Sequence, residues 1–444
     1  MPDIVLTTKA YNPSMNRALA AFRLSITLLL FATLISACSP STSINATPSP
    51  APTAQLIQTS SQNRFNANRD PNSSIRFGRI SLEQGLSQST VNTILQDKQG
   101  FMWFGTEDGL NRYDGYNFKI YRPEADNPSS ISDRWINSLV EDQDGYLWIG
   151  TRQGGLNRFD PRSGLFTVYQ HDPASAASLC DNTVYTLLID SHHHLWIGTE
   201  NGLDRFNPTN NTFEHFTTAN GLSNNSIMAL YEDHNGILWI GTESGGLDRF
   251  NTRTNSFDIF KYDSQNALSL SNNHVTAISE DRNGNLWIGT SSGLNRFEQQ
   301  SETFMRFENI PDQVDTLGDN QISALYLDHG GRLWIGTNNG LDYFNDHYKS
   351  FTHYRNQPAD PNSLSNNSIF SIYEDQSGVL WVGTYGGGLN KYDRQQDEFS
   401  YLGNDPSNKD SLSGNMVFPI YVDPQGIVWI GTYGNGLNRY NPVV

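Results

Sequence analysis

The chain reads as an all-β protein, a β-propeller of eight four-stranded blades closed by an N-terminal strand. Three observations predict this. A Trp-x-Gly-Thr phrase opens at Trp103, Trp148, Trp196, Trp239, Trp287, Trp334, Trp381 and Trp429, at intervals of 45, 48, 43, 48, 47, 47 and 48 residues. Repeats in the forties with short strand-like runs are the mark of propeller blades. No segment carries the 3.6-residue spacing that helical repeats of this length need.

The repeat around Trp239 justifies the elements in order. Ile227–Glu232 alternates as an inner strand, and Asp233 to Gly236 makes a hairpin turn in which Asp caps local amides and Gly supplies positive φ. A second strand, Ile237–Thr242, carries the Trp that fills the wedge between diverging sheets. A turn at Glu243–Gly246 leads to a third strand, Leu247–Phe250, and Phe257–Phe260 is the outer strand. The Asp-x-x-Gly turn recurs in every repeat except the third, where His192, His193 and His194 follow Asp190 and Ser191.

Outer strands recur through Phe399–Leu402, and the eighth repeat lacks one. An unattached copy, Ile75–Ile80, precedes the first blade and is expected to complete the last one, removing both sheet edges. The alternative is that the array is cut from a longer one and the match is accidental.

Ahead of the propeller at 75–444 come two other segments. Residues 1–37 have a signal's form, with Arg17 and Arg23 before an apolar run, Leu24–Ile35, too short for a comfortable span. The ending Ile35-Ser36-Ala37-Cys38 resembles a bacterial lipobox, which implies cleavage before Cys38 and lipidation of its sulfur; ordinary cleavage near Ala37 is the alternative. Residues 38–74, rich in Ser, Thr, Pro and Asn, form an expected disordered tether. The expected location is therefore extracytoplasmic, with the membrane touched through a lipid anchor only. A net charge of −17 argues against nucleic acid. The two cysteines cannot make a disulfide framework, and Cys180 is expected to be an inert interior thiol.

The run Gly85-Leu86-Ser87, Ile94 to Asp97, Gly100 to Thr106 and Gly109 to Gly115 resembles the two-component regulator propeller repeat. The resemblance covers about residues 75–444. It implies an extracytoplasmic sensor of a bacterial hybrid two-component system, many of which detect polysaccharide fragments. Such sensors usually carry two seven-bladed propellers, a β-sandwich, a membrane helix and kinase domains. None of these later parts is found in this sequence, so the expectation is either a stand-alone binding lipoprotein, served by a partner such as a membrane sensor kinase, or the detached front of a longer sensor.

Just before each inner strand one residue varies against a fixed frame: Thr90, Trp135, Thr183, Ser226, His274, Gln321, Ser368 and Met416. These are expected to ring the channel mouth and meet a polar small molecule or oligosaccharide. Trp135 is the only Trp outside the repeated phrase and offers a platform for a sugar ring. Arg134 and His274 add donors, and Gln321 shares their position. Tyr385 and Tyr433, with Arg152 and Glu243 in comparable places, open the turns between second and third strands.

No motif carries chemistry by spacing, and neither catalytic residues nor a cofactor are expected. Consecutive strand residues point to opposite faces, so His192–His194 cannot easily share one metal ion. The Asp turn is distantly similar to the sialidase Asp-box and the streptogramin lyase repeat, and a lyase would need His274 as its base. The readings carried forward are a ligand-sensing propeller, a protein-binding scaffold, and a propeller enzyme.

Overall fold

The computed structural model describes residues 75–441, apart from 252–253, 347–348, 395–402 and 407–408. The expected signal segment, tether and Cys38 lie outside the described residues, as does the expected outer strand at 399–402. The rest is an all-β propeller fold whose chain makes eight antiparallel sheets in all, seven of them four-stranded.

The Asp turn does more than cap the hairpin. In the fourth sheet Asp233 Oδ1 accepts from the amides of Asn235 (2.9 Å) and Ile237 (3.0 Å), while Oδ2 accepts from the indole of Trp239 (2.9 Å). All eight Asp–Trp pairs make this indole bond, from Asp97–Trp103 at 2.7 Å to Asp423–Trp429 at 2.9 Å. One carboxylate thus shapes the turn and satisfies the donor of the wedge residue. The glycine of the repeated phrase is required by close approach: a Cβ on Gly289 would lie 2.5 Å from Ile322 of the next sheet.

Each inner strand packs on the next, and the ring closes between the seventh, Ile369–Glu374, and the first, Val91–Gln96. The seam repeats the contacts of the other seams. Trp381 lies 6.3 Å from Tyr113, as Trp103 lies 5.4 Å from Phe159 at the corresponding third-strand position. The Gly388 amide donates to Ser89 O (2.7 Å), as Gly155 does to Asn182 O (2.9 Å).

The N-terminal strand does complete a blade, but it is the seventh rather than the last. Gly78–Ile80 pairs with Leu389–Asp393 in the register Gly78↔Lys391, Arg79↔Asn390, Ile80↔Leu389. It reproduces an outer strand in detail. Ile80 faces Leu389 as Phe260 faces Leu247, and the Phe77 amide donates to Asn362 O (2.8 Å) as Phe166 does to Ser129 O (2.9 Å). Phe77 is buried between Tyr354 and Tyr392, both at 6.1 Å.

The eighth repeat therefore forms a separate three-stranded sheet, Val417–Val422, Val428–Thr432 and Gly436–Tyr440. All six residues of Val417–Val422 are exposed, whereas the inner strands of the ring are partly or fully buried. The physical reason is the wedge: once seven Trp-filled seams have turned the sheets full circle, the first sheet meets the seventh.

One buried position varies with chemical consequence. In five sheets an Asn on the third strand binds the loop before the inner strand, as Asn295 does with Ser271 (2.9 and 2.8 Å). The third, fourth and sixth sheets carry Asp204, Asp248 and Asp342 instead. Asp204 faces His215 and Asp342 faces His353 across the strand pair, but Asp248 faces Ile259. Its Oδ1 has no partner, and burial pushes the carboxyl up to about 6.

An acid raised above its unfolded value stabilises fully below that value and loses the contribution as pH rises through about 6. Asp248→Asn, which restores the residue used elsewhere, should raise stability by on the order of 2 kcal/mol at pH 7.5. The gain should vanish near pH 4. Urea titrations at both pH values check this, and a pH-independent difference would refute it.

Candidate ligand mouth

The residue before each inner strand and the residue after the repeated Thr meet at one end of each sheet. Backbone amides join them: Arg152 to Trp135 O (3.1 Å), Glu200 to Thr183 O (3.1 Å), Glu243 to Ser226 O (3.0 Å), Ser291 to His274 O (3.2 Å), Asn338 to Gln321 O (3.3 Å) and Tyr385 to Ser368 O (2.9 Å). A constant backbone frame thus presents side chains that differ from sheet to sheet.

Trp135 is half-buried, and the Arg152 guanidinium lies 4.1 Å from its ring centroid, covering one face. Arg134 is exposed and pairs with Asp108 of the first sheet (3.6 Å), which Arg122 also holds (2.8 Å). His274 Nδ1 and Ser291 Oγ share a bond of 2.8 Å, while His274 Nε2 is buried without a partner. Gln321 accepts from Asn338, and Ser368 Oγ donates to Asn338 Oδ1 (3.2 Å), so adjoining sheets share a polar chain. Tyr385 is exposed and leans on Phe370 at 5.4 Å. Tyr433 and Met416 are joined in the same way (2.8 Å), but they belong to the eighth sheet and are not among the side chains of the ring.

The inner strands add residues that sequence reasoning missed. Each has a register shift after its first residue, which leaves the second unpaired and re-aims its side chain. In the first, second, fifth and sixth sheets these are Asn92, Asn137, Thr276 and Ser323, each donating to the first carbonyl of the next inner strand. In the third, fourth and seventh they are Tyr185, Met228 and Phe370, which do not make that bond. Tyr185 donates to Glu200, and burial, then that carboxylate, holds its phenol well above its ordinary value. Tabulating the second residue of each inner strand would have exposed them. Strict alternation assigned them no role.

A polar cleft of about 340 Å³ lies between the fifth and sixth sheets at the same end, lined by Tyr262, Asn272, Ser292, Arg306, Glu308 and Asn320. Its convergent donors and acceptors suit a hydroxyl-rich ligand.

His274 is oriented by a hydroxyl rather than a carboxylate. At the Asp turn of the third sheet, His193 takes the left-handed conformation that glycine holds elsewhere (φ 67°), and His194 pairs with Asp190 (2.9 Å). Among the described residues, Cys180, Asp204 and His215 are the trio whose donors approach one another as metal ligands would.

Fold and mouth define a class: a propeller whose repeated frame displays non-repeating side chains at one end. The chain belongs to the two-component regulator propeller repeat family, whose model matches residues 85–108, 130–153, 178–201, 221–244, 269–292, 316–339, 363–386 and 411–434. It is similar to the extracellular domain of BT3049 from B. thetaiotaomicron, assigned to the hybrid two-component systems: 31% identity and a TM-score of 0.66, over 83% of this chain and 48% of that one.

A 61-residue stretch, 14% of this chain, is 51% identical to histidine kinase P4 of Formosa agariphila and spans 4% of it. The chain thus covers about half of the solved domain and a small part of the kinase. Virginiamycin B lyase from Staphylococcus aureus shares the fold alone, at 14% identity and a TM-score of 0.53, over 71% of this chain and 98% of the lyase. No helix among the described residues is long and apolar enough to cross a membrane.

Proposed function

We propose that this protein is an extracytoplasmic sensor propeller whose mouth binds a polar ligand, a glycan, on behalf of a two-component pathway. The observation that carries the reading is chemical variety on a constant frame. Six sheets of the ring hold equivalent loops within one backbone pattern, yet they present Trp135, His274, Gln321 and Tyr385 in turn, beside a polar cleft. Aromatic rings flanked by amides, hydroxyls and guanidinium groups are what sugar rings require. Anchoring through Cys38 and signalling to a membrane sensor kinase belong to the same proposal; the mass of the mature N-terminus checks the anchor.

Melting the protein against a panel of oligosaccharides tests the reading. A ligand at a hundred times its Kd stabilises by about 2.7 kcal/mol and must raise the midpoint. The shift is expected in the wild type and absent in Trp135→Ala. No shift for any glycan would reject the glycan assignment.

The scaffold reading has one observation in its favour, the exposed apolar residues Phe418, Ile420, Tyr421 and Leu437 of the eighth sheet. An enzyme reading finds no such support.

A further inference from the structure

We propose that Cys180, Asp204 and His215 form a binding site for a thiophilic divalent cation of the zinc class, built into the third sheet. Cys180 precedes the inner strand of that sheet, Asp204 lies on its third strand and His215 on its outer strand. His215 Nδ1 lies 3.1 Å from Cys180 Sγ and 2.5 Å from Asp204 Oδ1.

The second ring nitrogen is already committed, since Nε2 donates to Ala176 O at 2.8 Å. A backbone carbonyl on the far nitrogen is the arrangement that orients metal-binding imidazoles and leaves the near nitrogen to the ion. Asp204 is fixed by the Cys180 amide on its Oδ2 (2.8 Å) and is fully buried. His215 and Cys180 reach solvent, which gives an ion a way in and a water for the fourth position.

The repeats supply an internal comparison. The sixth sheet has the same pair, with His353 Nδ1 at 2.7 Å from Asp342 Oδ1 and Nε2 on Val314 O (3.1 Å), but Gly318 stands where Cys180 would be. The other sheets place Ser87, Ser132, Ser223, Ser271, Ser365 and Ser413 there. Only the third sheet combines thiol, imidazole and carboxylate.

Thiolate, imidazole and carboxylate together select a zinc-like ion over calcium or magnesium. Tetrahedral bonds of about 2.3 Å to sulfur and about 2.0 Å to nitrogen and oxygen put donors roughly 3.3–3.6 Å apart. The two distances to the imidazole reach that range when the partly exposed side chains open slightly, and all three donors already lie within 4.8 Å of one another. Without an ion the hydrogen bond to Asp204 raises the hold of the His215 ring on its proton, and burial does the same for the thiol. On binding, both protons leave to solvent, two bonds to protons are replaced by metal–sulfur and metal–nitrogen bonds, and no oxidation state changes.

Titration of the full chain with Co²⁺, then displacement by Zn²⁺, tests the site. The wild type is expected to show a thiolate-to-cobalt charge-transfer band and the visible bands of a tetrahedral ion, saturating at one equivalent. Cys180→Ser, which installs the residue of six other repeats, should fold with an unchanged metal-free melting midpoint, lose the band and weaken Zn²⁺ binding at least tenfold. His215→Gln should do the same and guards against a folding defect in the first variant. Absence of the band in the wild type, or its persistence in both variants, would overturn the proposal.

Discussion

Removing residues 75–80 is expected to open the ring, while removing 404–441 leaves its melting midpoint where it was. The two deletions separate the closures that the repeat count allows. Phe77 is 2% exposed and packs with Trp334, Leu380 and Tyr392, so its loss alone costs about 3–5 kcal/mol. Arg79 adds bonds to the carbonyls of Ser363 (2.9 Å) and Leu364 (3.2 Å), and Ile80 covers Leu389. Without this strand the seventh sheet presents an unpaired edge next to the seam with the first.

Among the described residues, the eighth sheet pairs with no strand of the ring. Phe418, Ile420 and Tyr421 are each at least 60% exposed, so deleting them forfeits little burial and removes an apolar face. Differential scanning calorimetry and gel filtration read both effects: a lower midpoint for the first deletion, and an unchanged midpoint with less self-association for the second. Were the eighth sheet a member of the ring, its removal would collapse the fold.

Trp287→Ala should destabilise by about 3–5 kcal/mol, among the largest effects any single change in the ring would have. Trp287 is 1% exposed and packs against Phe307 at 5.4 Å and Phe344 of the next sheet at 4.9 Å. Asp281→Ala should cost about 3 kcal/mol by leaving the indole donor and two turn amides without their acceptor. Because the two residues share a hydrogen bond, the double variant should cost less than the sum, with a coupling above about 1 kcal/mol.

The same change in the eighth repeat, Trp429→Ala, should leave the ring's midpoint unmoved, although Asp423 and Trp429 make the same bond at 2.9 Å. Equal effects in both repeats would show that the wedge is not what stabilises the ring.

Much of this is legible in the amino-acid sequence. The Trp-x-Gly-Thr period, the Asp turns and the stray strand Ile75–Ile80 announced the sheets, their order and the existence of a latch. The loop frame could be aligned within the chain, which located Trp135, Arg134, His274, Gln321 and Tyr385 at one end of their sheets. Tyr433 was read by the same rule and fell on a sheet outside the ring, because the rule describes a sheet and not its neighbours. Tyr185, Met228 and Phe370 escaped because a bulge breaks the two-residue alternation on which strand reading depends. The Cys180, Asp204 and His215 cluster escaped because its members lie on three segments and meet only when the strands pair.

Local chemistry is what sequence alone determined: where each strand starts, which carboxylate turns the hairpin, which aromatic fills the wedge, and that a free strand waits at the N-terminus. Only the tertiary structure decided how many sheets go round and which one the free strand joins. The reason is that ring size follows from the angle at each seam, accumulated over every Trp-filled contact. No single repeat encodes that sum, so eight like repeats yield seven sheets in a ring and one beside it.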